Sequence, residues 1–150
     1  MDIYGTTSTN NALAAATAET IIQLVTPATV RAQITKIAIS FDGVSSTAEP
    51  VDVFLVVQDT AGTSSSATIA KLDPAAPTSL LTALKTFTAE PTTDSNEVWR
   101  IMVHPQGGLY EVNWALGDRT APLMNVSTRW GLKVNAAAVV NCSATVQWCE

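Results

Sequence analysis

The run "VNCSATVQW", residues 140–148, constrains this chain more than any other. Val140, Cys142, Ala144, Val146 and Trp148 point one way, and Asn141, Ser143, Thr145 and Gln147 point the other. Successive side chains of a strand project to opposite faces, so strict alternation marks a strand with one buried face. The segment before it repeats the pattern. Val126, Thr128, Trp130, Leu132 and Val134 alternate with Ser127, Arg129, Gly131 and Lys133.

Further upstream, "EVWRIMVH" sets Trp99, Ile101 and Val103 on one face, and "LYEVNWAL" sets Tyr110, Val112, Trp114 and Leu116 on one face. "VDVFLVVQD" has Val51, Val53, Leu55 and Val57 on one side and Phe54 and Val56 on the other, which predicts a central strand or one that faces a partner. In "TVRAQITKIAISFDG" the apolar phase changes: Val30, Ala32 and Ile34 are even, while Ile37, Ile39 and Phe41 are odd. One extra residue near Thr35 and Lys36 produces such a slip, so a β-bulge is expected there. "TIIQLVT" (20–26) and "SATIAKL" (66–72) are shorter strand candidates. "TSLLTALKTFT" carries both a helical and a strand pattern and is read as a short helix or an irregular loop.

Turn-forming strings separate these runs: "FDGVSSTAEP", "QDTAGTSSS", "LDPAAP", "EPTTDSN", "HPQGG" and "LGDRTAP". About eight short strands at this spacing predict an all-β fold over residues 19–150, a sandwich or a jelly roll. Residues 1–18 are small and polar and show no strand pattern. They are expected to form an extended N-terminal arm that is mobile when free and contacts neighbouring subunits.

A chain of 150 residues is most simply one folded domain. It can bury about 68–70% of the surface its unfolded form exposes, so it needs no disulfide staples. Charged residues make up 14%, against about 25% in an average domain, and mean hydropathy is +0.21. So little charge suggests that part of the surface is covered by another molecule. A net charge of −5 with scattered lysines and arginines argues against nucleic acid or an anionic membrane as partner. No apolar run approaches the ~20 residues of a membrane span. The opening "MDIYGTTSTN" has neither a basic nor an apolar region of the secretory kind, so synthesis in the cytoplasm is expected.

Candidate chemistry is sparse. His104 is the one histidine, in "HPQGG". Pro105 cannot donate to a strand ladder, and Gly107 and Gly108 permit the positive φ of a tight reversal. The string reads as strand, turn, strand, ahead of a catalytic loop. No GxSxG elbow exists to supply a nucleophile. Cys142 lies on an apolar strand face, where burial raises a thiol's pKa. Cys149 is seven residues on, on the opposite face of the same strand, so the two are expected to be free. Asn125 and Asn141 match the glycosylation pattern by chance when no secretory signal is read. Asp52, Asp59, Asp94 and Glu97 are not spaced for calcium, and a single histidine cannot build a zinc site. No metal, cofactor or catalytic residue is assigned, and no enzymatic activity is expected. Trp99, Trp114, Trp130 and Trp148 each fall on an apolar strand face, which favours core packing over a sugar-binding platform.

Over about residues 18–150, the turn strings "FDG", "AGT", "EPT" and "HPQGG", with the strands between them, resemble the jelly-roll capsid decoration (cement) proteins of tailed bacteriophages. The resemblance implies a jelly-roll sandwich and a homotrimer. It implies docking on the major capsid protein at the exterior of the phage head, where the protein stabilises the shell by bridging capsomers. It carries over no catalytic residue. The alternatives are another virion component (a tail-tube, tail-tip or fibre-head domain) and a carbohydrate-binding β-sandwich module.

Overall fold

The computed structural model describes residues 1–150 and contains no helix. Twelve strands follow one another: β1 (Ile3–Leu13), β2 (Thr17–Val25), β3 (Ala32–Phe41), β4 (Val51–Gln58), β5 (Thr63–Ser66), β6 (Ile69–Lys71), β7 (Thr82–Ala89), β8 (Thr93–Val103), β9 (Leu109–Asn113), β10 (Leu123–Met124), β11 (Arg129–Ala136) and β12 (Val140–Cys149). They form two antiparallel sheets. One runs β10-β3-β12-β1-β6, with β9 also on β3; the other runs β5-β7-β2-β11-β4-β8. The last strand lies between β1 and β3, and the strand before it lies between β2 and β4.

The alternation of β12 is realised as expected. Val140, Cys142, Ala144, Val146 and Trp148 are buried, while Asn141, Ser143, Thr145 and Gln147 are half-buried on the outer face. Ala32, Ile34, Ile37, Ile39 and Phe41 of β3 enter the same core, as do Val51, Val53 and Leu55 of β4 and Trp130, Leu132 and Val134 of β11. The bulge in β3 is present. Gln147 pairs with Lys36 and Trp148 with Ile34, which leaves Thr35 as the extra residue. Its carbonyl, released from the ladder, accepts the N–H of Trp114 at 2.8 Å.

Residues 1–18 are not an arm. Ile3–Leu13 is an interior strand, paired with β12 on one side and β6 on the other. The boundary drawn at residue 18 falls within β2. The reason lies in the side chains that β1 buries. Tyr4 and Leu13 are apolar, but Thr6 and Ser8 between them are polar and equally buried. Buried hydroxyls need partners. The Thr6 hydroxyl donates to the Thr68 carbonyl at 2.9 Å and the Ser8 hydroxyl to Asn11 Oδ1 at 2.8 Å. A bulge between Ser8 and Asn11, with Asn10 at φ 53°, shifts the register before Leu13 returns to the core.

Residues 78–88 differ from expectation too. Thr82–Ala89 is strand β7, not helix or loop. The strand count exceeds about eight because β1 and β7 are strands and because two short pieces, β5 and β10, add to the expected ones, while β6 realises the candidate at 66–72.

The chain between β4 and β8 closes one side of the structure. It lays β6 against β1, β7 against β2 and β5 against β7. It buries Ala67, Ala76, Leu81 and Ala83. Its two ends are tied down by a polar cluster on the outer face of the second sheet. Gln23 Nε2 donates to Gln58 Oε1 at 2.7 Å and to the Thr60 carbonyl at 2.9 Å. Gln58 Nε2 donates to the Thr20 hydroxyl at 3.0 Å, and that hydroxyl donates to Glu90 at 2.7 Å. Gly131 gives the Gln58 side chain its space: a Cβ there would collide with the Gln58 amide.

Candidate functional site

The turn motifs pair in space. "FDG" and "HPQGG" meet at one end of the molecule, where Gly107 N–H donates to the Gly43 carbonyl at 3.3 Å and Gly43 bridges to Gln106. "AGT" and "EPT" meet on the closed side. Gly62, at φ 63°, sits so close to Ala89 and Pro91 that a Cβ would collide with both, and Thr92 N–H donates to the Thr60 hydroxyl at 2.9 Å. Glycine is required at Gly62 on two grounds, positive φ and space.

His104 lies in the turn from β8 to β9 and is exposed. Its Nδ1 accepts the Gln106 N–H at 3.1 Å, an interaction that shapes the turn. Gly107 takes φ 56°, as a reversal requires; Gly108 does not take a positive φ. No serine, threonine, cysteine or carboxylate is hydrogen-bonded to His104.

Both cysteines are free and buried. Burial pushes the Cys142 thiol up to about 12, with the charge of Glu19 adding to the shift. Burial raises Cys149 as well. Neither thiol is a nucleophile near neutral pH. Asn125 is exposed, and its Oδ1 accepts Arg31 Nε at 3.0 Å. Asn141 donates from its backbone and its side chain to Asp42, at 2.9 and 2.7 Å. These two bonds, the side-chain one first, hold the Asp42 carboxyl below the usual carboxylate range. Asp52 and Glu97 both pair with Arg100. Asp94 lies in the irregular first part of β8 and accepts the Asn96 N–H. Asp59 is exposed, and its carbonyl accepts Arg129 Nη1 at 3.3 Å.

The outer-face apolar groups of β4 are covered within the chain. The Arg100 guanidinium lies 5.1 Å from the centre of the Phe54 ring, and Val56 is buried. A cation over an aromatic face is favourable in its own right. They are therefore not a free surface waiting for a partner.

The tryptophans divide into two pairs. Trp130 and Trp148 are buried, and Trp148 lies 6.3 Å from Tyr4, ring centre to ring centre. Trp99 and Trp114 are half-buried. Trp99 meets Tyr110 at 5.8 Å and Trp114 edge-on at 6.5 Å. These three rings fill the gap between β8 and β9, edge strands of different sheets that do not pair with each other. Ile101 and Val112 beside them are also half-buried, and Met102 and Leu109 are 64% and 70% exposed. This side, with half-buried aromatic rings between two free strand edges, is the surface feature that sequence reasoning missed. Alternation assigns side chains to faces, but it does not show where a sheet ends.

A recess lies at the end where "FDG" meets "HPQGG". It has a volume of ≈ 180 Å³ and is lined mainly by small apolar residues, among them Val44, Ala48, Pro105, Ala138 and Val139. It brings together no pair of catalytic groups and no cluster of metal-binding side chains. No protein-family model matches the chain, and no curated protein or solved structure is similar enough to count as a match.

Proposed function

We propose that this chain is a capsid decoration protein of a tailed bacteriophage, a jelly-roll subunit that binds the outside of the head and bridges capsomers. The observation that carries the reading is the pairing of the turn motifs. "FDG" with "HPQGG" and "AGT" with "EPT" are the strings on which the resemblance rests; the first pair is joined by backbone hydrogen bonds and the second by the close approach of Gly62 to Pro91, beside the bond from Thr92 to the Thr60 hydroxyl. They therefore act together in forming the fold, and their joint occurrence carries more weight than four separate turns.

The strand order supports the jelly-roll part of the reading. Setting aside the chain between β4 and β8 and the short β10, the sheets run β1-β12-β3-β9 and β2-β11-β4-β8. Eight strands in two four-stranded sheets, with each of the last two strands inserted between earlier ones, is the arrangement expected of a jelly roll's double Greek key. The small number of charges suits a subunit that works against other protein surfaces. Bridging needs no catalytic group: linked weak contacts raise each other's effective concentration. The homotrimer implied by the resemblance belongs to the same proposal.

The test uses heads of the encoding phage, purified with and without this protein. Added protein is expected to saturate the deficient heads and raise their resistance to heat. Protein that copurifies with tails, or fails to bind heads at any concentration, contradicts the reading. Binding to a glycan array in place of heads favours a carbohydrate-binding module.

A further inference from the structure

Four connections meet at one end of the sandwich: residues 14–16, 42–50, 104–108 and 137–139. Ala16 N–H donates to the Ala136 carbonyl at 2.7 Å, Gly107 N–H to the Gly43 carbonyl at 3.3 Å, and Gln106 Nε2 to the Val44 carbonyl at 3.3 Å. This end carries the most exposed apolar groups of the molecule. Apart from the terminal Met1, the four most exposed large apolar side chains are Val44, Val139, Leu109 and Met102. Val44 and Val139, 89% and 76% exposed, both line the recess of ≈ 180 Å³. Met102 and Leu109 flank the turn at residues 104–108, which contributes Pro105 to the lining. A single exposed valine needs no explanation, but a cluster of exposed apolar groups around a recess marks a site of interaction.

The chemistry of this end limits what it can hold. No aromatic ring lines the recess, so a sugar finds no platform to stack on. The four connections carry two carboxylates, Asp42 and Glu49, and no lysine or arginine, so phosphate groups meet no cation. His104 turns its Nδ1 to the Gln106 N–H. Asp42 is held by Asn141. Glu49 is different: it is exposed, it lines the recess, and it takes part in none of the ion pairs of the chain. An apolar recess with one unpaired carboxylate in its lining complements an apolar side chain that has a cation beside it. We infer that this end is the face by which the chain docks on a protein partner, the recess taking an apolar side chain of that partner and Glu49 an adjacent lysine or arginine. That the partner is the shell protein of the phage head rests on the function proposed above.

The test measures the affinity of wild type and variants for heads purified without this protein, with far-UV circular dichroism to show that each variant is folded. Val44→Glu with Val139→Glu is expected to weaken binding at least ~10-fold, because charge then enters the centre of an apolar contact. Leu116→Glu with Leu123→Glu changes two exposed leucines beside the start of β3, at the opposite end, and is expected to bind like wild type. Glu49→Gln is expected to weaken binding about 2–5-fold, the size of an exposed ion pair, and to make it less sensitive to salt. Wild-type protein that binds heads while the Val44 and Val139 variant binds equally well overturns the inference and leaves the proposed function standing. So does a loss that only the Leu116 and Leu123 changes cause, since that places the contact at the other end. Glu49→Gln with unchanged affinity and salt dependence overturns the pairing of Glu49 with a cation. Wild-type protein that does not bind heads overturns the proposed function, and this inference with it.

Discussion

The two sides of the molecule solve the same problem differently. Two sheets facing each other leave a gap at each lateral edge, and the core is exposed there unless something fills it. On the β5/β6 side the chain fills the gap itself. It inserts Ala67, Ala76 and Leu81 and ties the insertion down through Gln23, Gln58 and Thr20. On the β8/β9 side only the turn at residues 104–108 passes between the sheets, and Trp99, Tyr110 and Trp114 are left half-buried against one another. The difference separates residues that hold the single chain together from residues available for contact. Residues on the first side should govern stability, and those on the second should affect it less.

The largest expected effect tests the closed side at its foundation. Deleting residues 3–13 removes β1, which separates β12 from β6 and contributes Tyr4 and Leu13 to the core. The truncated chain is expected to lose its cooperative thermal transition in circular dichroism. A truncated protein that melts like the full chain would restore the arm and dissolve the comparison. Matched truncations come next. Leu81→Ala on the closed side is expected to cost about 2–4 kcal/mol, since Leu81 is buried. Tyr110→Ala on the open side is expected to cost about half as much, because the ring is half in water already. Denaturant titration of both variants measures the ratio.

Gly131→Ala tests the polar cluster. A methyl group there displaces the Gln58 amide and strips Gln23 and Thr20 of partners in a buried site. An expected loss of about 1–3 kcal/mol follows from leaving such groups unpaired. Met102→Ser and Leu109→Ser, exposed on the open side, are expected to change stability by less than about 0.5 kcal/mol.

The smallest effect is on pH. The folded protein holds the Asp42 carboxyl below its usual range through Asn141. A group with a lowered folded pKa stabilises above its unfolded pKa, and that contribution disappears as pH falls through the folded value. The difference in melting temperature between wild type and Asp42→Ala should therefore shrink between about pH 5 and about pH 2. A difference that stays constant would assign the effect to packing.

What was legible in the sequence follows the chemistry of the buried face. β12, β11, β4 and the bulged β3 bury aliphatic and aromatic groups, so their alternation shows directly. Even the extra residue at Thr35 shows as a phase change. β1 buries Thr6, whose hydroxyl finds its partner only when the distant Thr68 has folded against it, and Ser8, whose hydroxyl is satisfied by Asn11 only through the bulge between them. Nothing in the local sequence distinguishes such a strand from a polar tail. β7 was obscured for a related reason. Ala83 is its one fully buried side chain, and Leu84 and Phe87 are only half-buried, so no apolar face stands out. The turn at His104 was legible, because Pro105 and Gly107 specify a reversal by their own backbone preferences. The open side was not, because which strands become edges depends on the order of the strands in each sheet.

The measurement that most directly tests the proposed function is a cryo-electron microscopy map of the phage particle that this function requires the chain to belong to. The account predicts density for this fold on the outside of the head, in hundreds of copies grouped about threefold or quasi-threefold positions. Density confined to the tail or to one vertex, or a particle without the protein, would contradict it.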